Sequence, residues 1–152
     1  MSARERKLEL VASEAAPDDY HLQDQVGFVL RKAHQRHVAI FASHIADLTP
    51  PQFAALAKLS DVGETSQSQL GQLIAMDAAT VKGVIDRLKA RGLVALSKHD
   101  GDKRRLLVSL TAEGREAVDA LIPKARTITQ ETLAPLSARE VSAFMKLLAK
   151  LA

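Results

Sequence analysis

Apolar residues recur at steps of three and four from Leu22 to Leu48, through Val26, Val29, Leu30, Ala33, Val38, Ile40, Phe41 and Ile45. That spacing predicts one long amphipathic helix over 22–48, with no proline inside it. Thr49-Pro50-Pro51-Gln52 reads as the start of a second helix. Threonine can cap, and proline suits the first turn, where a backbone N–H has no intrahelical partner. Phe53, Leu56, Ala57 and Leu59 carry its apolar side, and Gly63 stops it. Ser66-Gln67-Ser68-Gln69-Leu70 leads into a short third helix, and a break follows near Met76-Asp77. Asp77 caps a fourth helix over 78–91, with Val81, Val84, Ile85 and Leu88 on its inner stripe and Gly92 at its end. Two short helices joined by a tight turn, the second with a polar, basic outer face, have helix-turn-helix spacing.

Residues 93–97 and 106–110 then read as two strands. Between them His99-Asp100-Gly101-Asp102-Lys103-Arg104-Arg105 forms a charged, turn-rich hairpin tip. A hairpin in this position is the wing of a winged helix. Thr111 caps the next helix, which carries Val118, Leu121 and Ile122, is expected to kink at Pro123, and continues towards Leu133. Pro135 and Ser137 punctuate the chain before a last amphipathic helix with Val141, Phe144, Leu147, Leu148 and Leu151. The predicted fold is therefore mainly α with a small β-hairpin wing: a winged helix-turn-helix with long N- and C-terminal helices. Residues 1–19 are expected to be a flexible tail, 49–111 the winged lobe, and 20–48 with 112–152 a helical dimerisation region.

Composition narrows the function. A 152-residue chain with 47% hydrophobic residues can bury one real core. It contains no cysteine, which excludes a disulfide framework, a thiolate metal site and a cysteine redox sensor. The charged N-terminus lacks a signal-peptide core, and no apolar run approaches the roughly 20 residues that span a bilayer, so a cytoplasmic protein is expected. There is no glycine-rich phosphate loop, nucleophile elbow or His-Glu-x-x-His, so an enzyme is not expected. Net charge is only +3, but 77–105 holds eight Lys/Arg against four Asp, a local +4. A basic block in a near-neutral chain is the footprint of a nucleic-acid-binding face.

The order of elements, together with specific residues, resembles the MarR family of bacterial transcription regulators. The likeness is carried by Leu48-Thr49-Pro50-Pro51-Gln52-Phe53, Gln69-Leu70-Gly71-Gln72-Leu73, Ala79-Thr80-Val81, Asp86-Arg87-Leu88, Arg91-Gly92-Leu93-Val94, Asp102-Lys103-Arg104, Val108-Ser109-Leu110-Thr111 and Gly114. It spans about 22–152. The resemblance implies a homodimeric repressor that binds double-stranded, pseudo-palindromic operator DNA and is released by a small-molecule effector, with no cofactor.

Subtracting the buried stripe leaves Ala78, Ala79, Thr80, Lys82, Gly83 and Arg87 as outward positions of the fourth helix. Ala79 suits a thymine methyl, Thr80 a thymine methyl or, through its hydroxyl, a phosphate, Lys82 a guanine edge or phosphate, and Gly83 a close backbone approach. Ser68 and Gln69, at the start of the third helix, either anchor a phosphate or cap the helix. Like charges at Lys103, Arg104 and Arg105 gain nothing for folding, and arginine suits the negative potential of a narrow minor groove. By resemblance, Asp102 holds Arg104 in its DNA-facing geometry. Val118, Leu121, Phe144, Leu147, Leu148 and Leu151 are the dimer-interface candidates.

For the effector, family resemblance points to small aromatic ligands between the dimer helices and the DNA-binding lobe. Three histidines on the first helix, with nearby phenylalanines and basic residues, suggest an anion-tolerant aromatic pocket of Phe28, Arg31, His34, Arg36, His37, Phe41 and Phe53. Gln25-Val26-Gly27-Phe28, Ala33-His34-Gln35-Arg36 and the segment from Asp77 to Gly83 resemble members that control aromatic-acid breakdown. Some of those respond to the acyl-CoA thioester of the acid, so the resemblance implies an aromatic acid or its thioester as effector. No metal is expected, because no cysteine or acidic residue joins these histidines along the helix. The rival reading is a non-specific, nucleoid-type DNA binder.

Overall fold

The computed structural model describes residues 2–5, 19–102 and 104–152. Most of the expected tail, and Lys103 in the wing, lie outside the described residues. The chain divides into two compact units inside the first helix, residues 1–36 and His37–Ala152. In the first unit a 3-10 turn, Leu22–Asp24, precedes α1, Val26–His44. The predicted 22–48 helix is thus shorter at both ends. No residue of the 3-10 turn is buried, so no packing draws it into the helix. At the other end Thr49 precedes Pro50 and is extended (φ −84°, ψ 158°), as the residue before proline must be.

In the second unit α2 spans Pro50–Val62 behind a complete capping box. Gln52 N–H donates to Thr49 Oγ1 (3.3 Å), and Thr49 N–H donates to Gln52 Oε1 (3.1 Å). Strand β1 (Thr65–Ser66) is followed by α3 (Gln67–Leu73) and α4 (Ala78–Ala90). The turn between these helices places Ala75 at φ 56° and closes with Met76 N–H donating to Gly71 O at 2.8 Å. A Cβ on Gly71 would stand 3.0 Å from Met76 O and 3.2 Å from Val81 Cγ1, so the missing side chain lets α3 and α4 pack closely.

Strands β2 (Val94–Lys98) and β3 (Leu106–Leu110) form the wing, paired antiparallel from Val94↔Leu110 to Lys98↔Leu106. Sequence alone missed β1, which pairs with β3 through Thr65↔Val108 and Ser66↔Leu107 to give the order β1-β3-β2. Thr111 then caps α5, Ala112–Leu133, which stays helical across Pro123. A Cβ on Gly114 would run into the Leu93 carbonyl, so the start of α5 sits directly on the base of the wing. The last helix, α6 (Ala138–Lys150), opens on a second capping box, between Ser137 and Glu140.

Within the second unit one core joins the end of α1, helices α2 to α5 and the sheet. Ala55, Leu56, Leu70, Ile85, Leu88 and Val108 are fully buried, with Phe41, Ile45, Val118 and Ile128 packed into the same cluster. Each large apolar side chain buried here contributes about 1.5–3 kcal/mol. The C-terminal part of α1 and much of α5 are therefore structural walls of the winged lobe.

Candidate nucleic-acid interface and ligand cavity

Helix α4 buries Val81, Val84, Ile85 and Leu88 and exposes Ala79, Thr80, Lys82, Asp86 and Arg87, with Gly83 half-buried. Its N-terminus is held by Asp77, whose carboxylate accepts from Thr80 N–H at 2.7 Å. That backbone bond holds the Asp77 carboxyl below its usual range, so the cap survives until pH falls under the ordinary carboxylate titration. Lys82 Nζ donates to Asp86 Oδ2 at 2.8 Å, one helical turn away. A Cβ at Gly83 would meet nothing within 4 Å, so nothing in the chain's own packing requires glycine there.

Ser68 and Gln69 lie exposed in the first turn of α3. The cap is not theirs. Ser66 caps α3 by accepting from Gln69 N–H at 3.1 Å. In the wing, Arg104 and Arg105 are exposed, and Asp102 Oδ1 accepts from Arg104 N–H at 3.0 Å. The aspartate thus fixes the backbone at Arg104 rather than its guanidinium. Arg105 turns back towards the helix-turn-helix, its Nη2 reaching 3.5 Å from Ser66 Oγ. The result is a cleft of about 220 Å³ lined by Ser66, Gln67, Ser68, Arg104, Arg105 and Leu106. Serine hydroxyls, a short-helix start and two guanidiniums on one surface are suited to a phosphate backbone. Ser66 is the member that sequence reading missed, because its neighbours in the wing are about forty positions away.

A second cavity, of about 200 Å³, opens among α1, α2 and α5 within the second unit. His37 and Thr129 are its polar lining, and Phe41, Pro50, Phe53, Ala125 and Ile128 are its apolar lining. The Phe41 and Phe53 rings stand 6.2 Å apart at 60°, a tilted aromatic pair. His37 Nδ1 is bonded to Thr132 Oγ1 at 2.9 Å, which orients the imidazole. Of the seven predicted ligand residues, His37, Phe41 and Phe53 line the cavity. Phe28, Arg31, His34 and Arg36 do not: they precede the unit that contains it. His44, on the same helix, pairs with Glu131 at 2.9 Å, an acidic partner supplied by α5 and not by its own helix.

A family model for the MarR family matches residues 48–106. The transcriptional repressor NicR of Pseudomonas putida is 46% identical over 134 residues, 87% of this chain and 85% of NicR. The chain belongs to the MarR family. The crystal structure of a Pseudomonas aeruginosa protein shares 50% identity and a TM-score of 0.84, over 87% of this chain and 100% of that one. BpsR of Bordetella bronchiseptica, whose DNA binding is regulated by 6-hydroxynicotinic acid, shares 46% identity and a TM-score of 0.83, over 87% and 96%. This MarR-type protein is a winged-helix transcription regulator and not an enzyme.

In the regulator, the predicted interface residues separate into two groups. Val118 is 1% exposed and belongs to the core of its own chain, so it is withdrawn from the interface set. Leu121 is half-buried against that core. On α6, by contrast, no residue is buried, and Phe144, Met145, Leu147 and Leu151 are exposed, Leu147 by 61%, with Leu148 half-buried beside them. Among the described residues no helix is long and apolar enough to cross a membrane.

Proposed function

We propose that this MarR-type regulator is a repressor that grips a pseudo-palindromic operator as a homodimer and releases it when a small aromatic acid occupies the His37–Phe41–Phe53 cavity. Residues 49–111 form the DNA-binding lobe. Ala79, Thr80, Lys82, Gly83 and Arg87 face the major groove, Ser68 and Gln69 the backbone, and Arg104 and Arg105 the wing-side groove. Lys82 exchanges its Asp86 partner for DNA on binding. The exposed apolar face of α6 supplies the subunit contact. A two-fold dimer then presents its recognition helices about 34 Å apart, one turn of DNA.

The observation that carries the effector reading is the cavity. A void of about 150 Å³ holds a benzene ring, and this one, at about 200 Å³, adds an oriented histidine and the Thr129 hydroxyl for polar substituents. It has room for the ring of an aromatic acid. The relatives favour the same chemistry, since BpsR answers to 6-hydroxynicotinic acid. Helix α2 is the coupling element, because it lines the cavity through Pro50 and Phe53 and buries Ala55, Leu56 and Leu59 in the core shared with α4. A ligand that moves α2 moves the recognition helix.

The test is fluorescence anisotropy with the duplex upstream of the protein's own gene and a shuffled control, at two salt concentrations, with and without 6-hydroxynicotinic acid. At least ~10³-fold preference for the native duplex is expected, with steep salt dependence and release by the acid. Equal affinity for both duplexes would favour the nucleoid-type rival. Specific binding that ignores the acid, together with no heat of binding to the free protein, would reject this effector class.

Gly83 gives a sharper check on the DNA face. Gly83→Ala is expected to stabilise the fold by about 1 kcal/mol, the usual gain of alanine over glycine inside a helix, yet to weaken operator binding several-fold. The added methyl meets no atom of the protein, so a binding defect can come only from the DNA side. Unchanged affinity at a raised melting temperature would remove Gly83 from the interface.

A further inference from the structure

The wing tip is held by a set of short-range hydrogen bonds in which one residue is unusual. His99 Nδ1 accepts from the backbone N–H of Gly101 at 3.0 Å and of Asp102 at 3.2 Å. The backbone N–H of His99 donates to Arg105 O at 3.0 Å, and the backbone N–H of Arg105 donates to Asp102 O, also at 3.0 Å. Asp102 in turn accepts from Arg104 N–H. Two side chains therefore fold the tip: His99 gathers the first two amides, and Asp102 passes the constraint to Arg104. From the geometry we infer that His99 is a positioning residue for DNA binding, a side-chain cap whose unprotonated Nδ1 presets the backbone that presents Arg104 and Arg105. It need not touch DNA.

The chemistry is restrictive. An imidazole nitrogen that accepts from two amides must carry its lone pair, so the neutral ring has its proton on Nε2. Protonation of Nδ1 turns the acceptor into a donor facing two donors, and the cap is lost. The charged groups beside it along the hairpin are Lys98, Asp100, Asp102, Arg104 and Arg105. This inference rests on the wing contacting DNA, so the test separates the two ideas.

Three variants of the full-length protein are compared on the upstream duplex: His99→Phe, which keeps a ring but has no acceptor, His99→Asn, which restores an oxygen acceptor near the same amides, and Arg104→Ala. His99→Phe is expected to lose about tenfold in affinity, the effect of two modest hydrogen bonds. His99→Asn should bind within about twofold of wild type at neutral pH, since its acceptor replaces both bonds. In parallel, nitrogen NMR of the wild-type imidazole should show the Nε2–H tautomer, with the Gly101 and Asp102 amides protected from exchange. If Arg104→Ala binds poorly while His99→Phe binds normally, the wing still reads DNA and the positioning role is overturned. If neither change matters, both readings fall. A ring protonated at Nδ1 in neutral solution would overturn the cap whatever the variants do.

Discussion

Leu147→Asp on α6 is expected to halve the mass of the regulator in solution and to reduce operator affinity by 10²-fold or more. Leu147 is 61% exposed, so an aspartate there meets water and leaves the fold of one chain intact. In a two-fold dimer the same change buries two carboxylates at a self-complementary seam, where an unpaired charge is strongly destabilising. Operator binding follows because two linked recognition helices bind with an effective concentration that two separate lobes lack, typically a factor of 10²–10⁴. Light scattering and anisotropy on the same sample check both halves. A variant that stays dimeric at micromolar concentration would move the interface away from α6. Val118→Asp is the contrasting control, since that side chain lies in the chain's own core and its replacement should cost folding itself.

A second large effect belongs to the wing. Arg104→Ala is expected to weaken operator binding by tenfold or more with no fall in melting temperature. The side chain is exposed and lines the cleft beside Ser66 and Ser68, while its backbone is tied by Asp102. Removing the guanidinium therefore leaves the tip folded. Each dimer loses two arginines, and a charge-assisted contact of this kind is worth about 1.5–3 kcal/mol. If the contact is to phosphate, the slope of affinity against salt should also fall by about two for the pair. Native-like affinity in this variant would sink the wing assignment, whereas a lowered melting temperature would mean that Arg104 serves the fold.

Much of this architecture was legible along the chain. Thr49, Asp77, Thr111 and Ser137 each cap a helix by accepting from an amide three residues on, and such bonds need only neighbours in sequence. The stripe Val81–Val84–Ile85–Leu88 is the buried face of α4 because a helix repeats every 3.6 residues whatever surrounds it. The hairpin wing and its charged tip follow from turn chemistry in the same local way, and so do the outward positions of the recognition helix.

What periodicity does not carry is which apolar face is already covered. Val118 and Leu147 both lie on apolar helix stripes, yet one is sealed in the core and the other is open, because three-dimensional packing brings β3 and α2 up to α5, while no residue of α6 is buried among the described residues. The same reason explains the ligand residues. Three histidines share the first helix, but the tertiary fold makes His37 a cavity wall bonded to Thr132, and gives His44 to Glu131. Those partners lie about ninety positions away, as do Ala125, Ile128 and Thr129. Ser66 shows both sides at once: its role as a helix cap is local, while its pairing with Leu107 and its place beside Arg105 come from a strand forty residues on. Caps, stripes and turns are set by interactions spanning three or four residues. The cavity, the cleft beside the wing and the exposed face of α6 depend on contacts whose sequence separation local pattern cannot encode.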